Sequence, residues 1–257
     1  MMRAKIITYT TFTLVLLSFF FYPGWRDVSA ADQKAFVLCY HSFLGNKHFA
    51  GDVSLQDLRA QMDFFKNKGF HFASFADILK GTLTGTQNIL IVIDDGNESV
   101  FKAYHDIFKP LHIIPILAIY PSIIGKKSYA LTWDQLNELS QDGCDIASHG
   151  YYHLLMNDKL YLKDKTSFDR EIYSSKKLLE EKLHKKVSIF VYPNGVRSDI
   201  TKRTLKDAGY SYAFTITWGT LLSPMSLNKD PLELPRYMLY QNNWKMIESV
   251  ILKASAE

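Results

Sequence analysis

At 257 residues and 47% hydrophobic, the chain can bury one sizeable core, and α/β barrels commonly occupy a single domain of this length. Its formal charge is +4, and setting aside residues 1–30 removes Arg3, Lys5, Arg26 and Asp27, leaving 27 basic against 25 acidic side chains. So small an excess excludes an electrostatic case for a nucleic-acid partner.

Arg3 and Lys5 precede a largely apolar stretch from Ile6 to Tyr22, and Val28-Ser29-Ala30 supplies small residues before Ala31, which is the pattern of a cleaved export signal. Residues 6–22 are also apolar enough to serve as an uncleaved membrane anchor. Either reading sends the protein to the periplasm, cell surface or medium and leaves residues 31–257 as one domain, because no repeat, low-complexity tract or linker divides them. Cys39 and Cys144 both sit in apolar, strand-like runs. Export permits a disulfide between them, and two buried free thiols fit equally well.

From residue 35 onward strands and helices alternate. Ala35–Tyr40 reads as a strand, Ser54–Lys68 as a helix capped by Ser54, and Ser74–Lys80 as a shorter helix. Ile89–Ile93 is the next strand, followed by a helix over residues 98–109 that Pro110 follows. Ile113–Tyr120 is a strand and Thr132–Gln141 a helix with Thr132 as cap and Gly143 at its end. A strand near Asp145, an amphipathic helix over residues 167–183 and a strand over residues 187–192 come next. Residues 198–208 are helical, residues 210–217 and 232–237 read as strands, and residues 242–254 form a final helix. This alternation predicts a parallel barrel or a doubly wound sheet.

Two strand ends carry the chemistry. The buried run Asn88–Ile93 delivers Asp94-Asp95-Gly96, and Asp145-Ile146-Ala147 leads into Ser148-His149-Gly150-Tyr151-Tyr152-His153. An isolated Asp-Asp-Gly more often marks a turn or helix entry, and histidines at i and i+4 are more often exposed or hydrogen-bonded than metal-bound. Together, at the carboxyl ends of parallel strands, they converge on one face. Asp95, His149 and His153 can then hold a divalent ion through one carboxylate oxygen and two imidazole nitrogens, leaving Asp94 free as a base. The donor set suits zinc, and cobalt, nickel or iron can take the same ligands.

These motifs, with Tyr192-Pro193 and the lead-in Leu131-Thr132-Trp133-Asp134-Gln135-Leu136, resemble the polysaccharide deacetylases of carbohydrate esterase family 4 in identity and order. The resemblance spans nearly all of residues 31–257. It implies a single-domain distorted (β/α)7 barrel and the metal-dependent removal of acetyl groups from an N-acetylated polysaccharide. It also implies separate work for the two aspartates: Asp94 as the general base, Asp95 as the metal-binding carboxylate. A backbone N–H near Tyr192-Pro193-Asn194 would hold the tetrahedral oxyanion.

The chain departs from the common family pattern in three places. No His follows His184, and the segment that often carries a late Leu-x-His motif reads Leu234-Pro235-Arg236. In a closed barrel the first and last strands are neighbours, so His41, at the end of the first strand, can occupy the same space and act as the general acid. That arrangement resembles the permuted branch containing the biofilm poly-β-1,6-N-acetylglucosamine deacetylases. The alternative for His41 is a strand-end residue merely hydrogen-bonded beneath a loop. The Arg that often precedes Tyr-Pro is also missing; Arg236 can reach inward to pair with Asp94 or lie in a surface ion pair. Finally, Asn194 replaces an aromatic residue, which leaves a backbone N–H contact intact.

Tyr151, Tyr152 and Trp218 can stack on a sugar ring or simply pack. The leading function is an exported hydrolase acting on N-acetylglucosamine units of a poly-N-acetylglucosamine-type exopolysaccharide. Peptidoglycan or a chitin-like oligomer is the alternative substrate, and a non-catalytic carbohydrate-binding module on the same scaffold is the alternative class. Adjacent Asp94 and Asp95 argue against a glycosidase, whose carboxylates flank the scissile bond from opposite sides.

Overall fold

The computed structural model describes residues 33–45 and 50–256, so the leader or anchor expected over residues 1–30 lies outside the described residues. The elements in order are β1 (Lys34–Tyr40), α1 (Leu55–Asn67), β2 (His71–Phe72), α2 (Phe75–Lys80), β3 (Asn88–Asp95), α3 (Ser99–Ala103), β4 (Ile116–Ile119), α4 (Trp133–Gln141) and β5 (Asp145–Ser148). They continue with α5 (Asp158–Lys163), α6 (Lys165–Asp169), α7 (Ser175–Leu183), β6 (Ile189–Val191), α8 (Asp199–Asp207), β7 (Tyr212–Phe214), β8 (Leu221–Leu222), β9 (Tyr237–Met238) and α9 (Trp244–Ala256).

Parallel strands run in the order β7-β6-β5-β4-β3-β1. The longest register pairs Ala35–Tyr40 with Asn88–Ile93. β2 pairs with the start of β3 on the edge that β4 takes farther along, and β8 lies antiparallel to the start of β1. The segment 234–239 closes the curl. The Leu234 N–H donates to Ala213 O and the Thr215 N–H to Leu234 O, whereas Tyr237 and Met238 pair with Leu38 and Cys39 of β1. The sheet therefore forms a single α/β domain, a curled barrel of the (β/α)7 kind.

Alternation along each strand sorts side chains between two layers. Phe36, Leu38, Tyr40, Ile89, Ile91 and Ile93 face the helices, where they meet Leu58, Met62 and Phe65 of α1. Ala35, Val37, Leu90, Val92, Ala118, Ala147 and Val191 fill the inside of the curl. Burial on both faces explains why β3 reads as an unbroken apolar run rather than as alternating polar and apolar residues. Helix starts follow side-chain caps: Ser54 accepts from the Asp57 N–H, Ser74 and Asp77 form a capping box, and Thr132 and Gln135 form another.

The structure differs from the sequence expectations in three stretches. The helix expected over residues 98–109 is α3 followed by a π-helical turn at Tyr104–Phe108 and a 3-10 turn at Lys109–Leu111. The helix expected over residues 167–183 begins earlier, as α5 and α6, and reaches α7 through a π-helical turn at Arg170–Ser174. The strand expected over residues 232–237 is reduced to β9 and a bridge at Leu234, because Pro235 has no N–H to give the ladder.

Candidate active site

Inward parity carries the candidate side chains to one end of the barrel. Asp94 continues the inward series Leu90, Val92; His149 follows Ala147; His41 follows Val37 and Cys39; Arg236 follows Leu234. At the end of β3 the backbone turns through left-handed conformations at Asp95 (φ 75°) and Gly96 (φ 82°), ending the strand and separating the two adjacent carboxylates. A non-glycine residue in this region costs energy, a cost that functional sites often carry.

Asp95 Oδ1 lies 3.6 Å from His149 Nε2 and 3.7 Å from His153 Nε2, and the two imidazole nitrogens are 3.1 Å apart. A triangle with these sides admits an ion about 2 Å from every corner, the distance that zinc keeps from imidazole nitrogen and carboxylate oxygen. His149 Nδ1 is 2.7 Å from Val191 O. A carbonyl only accepts, so Nδ1 carries the proton and Nε2 keeps its lone pair toward the triangle. Burial pushes the His149 imidazolium down to about 3 and His153 down as well, although Asp94 opposes both shifts. Neutral imidazoles are the form that binds a cation. The three residues thus fit a divalent ion.

Asp94 is buried beside this triangle, with Oδ2 3.7 Å from His149 Nε2. Its Oδ1 accepts from Arg236 Nη1 at 2.7 Å. Arg236 is 0% exposed; its Nε donates to Thr215 O at 2.8 Å and Nη1 also reaches Cys39 Sγ at 3.2 Å. Burial alone would raise the Asp94 carboxyl, but Arg236, His149 and His41 hold it well below the usual carboxylate range. Donor atoms of Cys39, His41 and Asp94 all lie within 4.8 Å of one another. His41 also lines a cavity of about 300 Å³ together with Asp95, Asn97, Tyr120, Ile123 and Tyr129.

The Tyr192-Pro193-Asn194 expectation needs correction at its first residue. The Tyr192 N–H donates to Phe214 O at 3.1 Å, its hydroxyl donates to Leu232 O at 3.0 Å, and its ring is fully buried. Tyr192 therefore supports the wall and cannot contact an oxyanion. Pro193 has no N–H, so only Asn194, exposed and left-handed at φ 53°, has a donor to offer from this tripeptide. Tyr152 is 49% exposed, with its ring 4.7 Å from that of Tyr151, and Trp218 is half-exposed against Tyr237. Cys39 and Cys144 are buried free thiols.

Sequence reasoning missed the contact of Cys39 with Arg236, and it missed Glu171. The signal for Glu171 is a carboxylate on the apolar stripe Phe168, Ile172, Leu179 of an amphipathic helical run, all of which are buried.

A family model described as polysaccharide deacetylase matches residues 82–213, just over half of the chain. The chain is 25% identical over 186 residues to the putative polysaccharide deacetylase YxkH of Bacillus subtilis, a match covering 70% of this chain and 63% of that relative. The chain thus spans less than two thirds of the relative's length. Among solved structures, IcaB from Ammonifex degensii superposes with a TM-score of 0.74 at 22% identity, covering 85% of this chain and 97% of that one. A de-N-acetylase from Aggregatibacter actinomycetemcomitans gives a TM-score of 0.68 at 20% identity, covering 84% and 99%. At these identities the structural likeness establishes the fold.

Proposed function

The chain belongs to the polysaccharide deacetylase family, and on that premise we propose that it is a metal-dependent N-deacetylase hydrolysing the acetamide groups of N-acetylglucosamine units in a polysaccharide. The observation that carries this reading is the position of Asp94, a buried carboxylate between the donor set Asp95, His149 and His153 and the guanidinium of Arg236. A divalent ion held by those three donors would acidify water and polarise the amide carbonyl; zinc suits them, and cobalt, nickel or iron can substitute.

The remaining chemistry falls to the chain's own side chains. Arg236 occupies Oδ1 of Asp94, which leaves Oδ2, on the His149 side, to take a proton from the attacking water. The Asn194 N–H stabilises the oxyanion as the carbonyl becomes tetrahedral. His41, as an imidazolium, gives a proton to the nitrogen as the C–N bond breaks, so one water yields acetate and a free amine. A binding module needs no such matched base and acid, which favours the enzyme reading.

A poly-N-acetylglucosamine-type exopolysaccharide is the preferred substrate, because His41 on the first strand, with no late His, is the feature that resembles the permuted branch. Likeness to a protein described as a de-N-acetylase supports amide rather than ester cleavage. Residues 1–30 would export the enzyme or, uncleaved, attach it to a membrane through residues 6–22. The test is acetate release by the metal-reconstituted protein from a panel of N-acetylglucosamine polymers, with Asp94→Asn alongside. Release by the wild type from the exopolysaccharide above the others is expected. Equal release from peptidoglycan and chitin oligomers would remove the substrate preference, and none from any polymer would favour the binding module.

A further inference from the structure

We infer that Glu171, seconded by Ser175, is a positioning residue that holds the His149–His153 loop in its metal-binding shape. The inference rests on the metal reading of Asp95, His149 and His153. Glu171 is 0% exposed and lies in the π-helical turn Arg170–Ser174, behind the loop. Its carboxylate accepts the Tyr151 N–H at 2.9 Å and the Leu154 N–H at 3.1 Å on Oε2, and the Tyr152 N–H at 2.8 Å on Oε1. All three partners are donors, so the ionised carboxylate, an acceptor only, is the form that satisfies them.

The two oxygens straddle His153. The Tyr152 N–H and the Leu154 N–H flank a residue with φ 64°, a left-handed conformation that is unfavourable for a residue with a Cβ. Without the carboxylate those N–H groups would lose their shared acceptor, and His153 would relax toward ordinary backbone, turning its ring away from Asp95. One turn on, Ser175 Oγ donates to Gly150 O at 2.8 Å and lies 2.6 Å from Ser148 Oγ. The helix therefore grips both sides of the loop: carbonyl at Gly150, N–H groups at residues 151, 152 and 154. Gly150 completes the fit, because a Cβ there would come within 2.3 Å of Glu171 Oε2. π-Helical turns are concentrated at functional sites in general, and here the turn carries the gripping carboxylate.

Glu171→Gln tests this, because the amide keeps the shape but turns an NH₂ toward a backbone donor. Apo wild type and variant would be titrated with Co(II), reading the dissociation constant and the visible d–d spectrum, with thermal unfolding of both apo proteins in parallel. A variant that stays folded, binds Co(II) about 10- to 100-fold more weakly and has an altered d–d band is expected. Wild type that binds no Co(II) would overturn the metal reading and this inference with it. Tight wild-type binding matched by Glu171→Gln, with superimposable spectra, would overturn the inference alone. If Glu171→Gln does not fold, Ser175→Ala takes its place: weaker Co(II) binding supports the grip and an unchanged constant overturns it.

Discussion

Arg236 and Asp94 lie 142 residues apart in sequence, yet Nη1 of one sits 2.7 Å from Oδ1 of the other, both side chains buried. The pair is a fixed, one-point internal contact rather than a surface one: the same guanidinium is tied to Thr215 O and touches Cys39 Sγ. It leaves one oxygen of Asp94 committed and the other open to the site.

Removing the guanidinium strands a carboxylate in the barrel. Arg236→Met is expected to destabilise the fold by about 3–5 kcal/mol, measured by urea unfolding. The double variant Arg236→Met, Asp94→Leu should recover most of that loss while remaining inactive, since neither charge is then left alone. A single variant as stable as wild type would mean that the pair is not the buried contact described.

On the proposed roles of base and acid, Asp94→Asn and His41→Ala should each lower kcat on an N-acetylglucosamine polymer by about 10²- to 10⁴-fold. Metal content, read by elemental analysis, should stay at the wild-type level because neither residue belongs to the triangle. Near-normal turnover by His41→Ala would remove its assignment as the acid.

Gly150→Ala places a methyl group where Glu171 Oε2 now lies, on a backbone with φ 78°. The left-handed alanine and the overlap together should cost about 2 kcal/mol or more in thermal or urea unfolding. Gly85→Ala is the control: its Cβ meets nothing within 4 Å, although φ is 63°, so it should show the conformational cost alone.

Both thiols should be inert in the folded protein. Burial pushes Cys144 up to about 12, and it holds Cys39 well above the ordinary thiol range despite the opposing charge of Arg236. With a value near 12, about one Cys144 in 10⁴ is thiolate at pH 8. A disulfide-exchange reagent should label neither cysteine in native buffer and both in guanidinium chloride; rapid native labelling would contradict the burial.

Local pattern made much of the fold legible. The caps at Ser54, Ser74 and Thr132 are written in short-range sequence, and their helices begin there. The two π-helical turns were not legible, because an inserted residue leaves the apolar stripe nearly unchanged. Tyr192 shows the limit of a motif: a backbone donor beside a proline is available only if the sheet does not claim it, and Phe214 O does. Glu171 was not legible either, because its three backbone donors lie 17 to 20 residues upstream and only the packing of the helix behind the loop brings them together.

From its residues alone the chain determined which strands end in Asp94-Asp95 and in His149, and, through alternation, which side chains share a face. Those properties depend on neighbours a few positions away. His41 comes to Asp94 through the direct pairing of β1 with β3, but whether Arg236 reaches it was decided only when segment 234–239 bridged β7 and β1 and closed the curl. That closure joins residues nearly 200 positions apart, and it depends on the accumulated twist of the whole sheet, which no local stretch encodes.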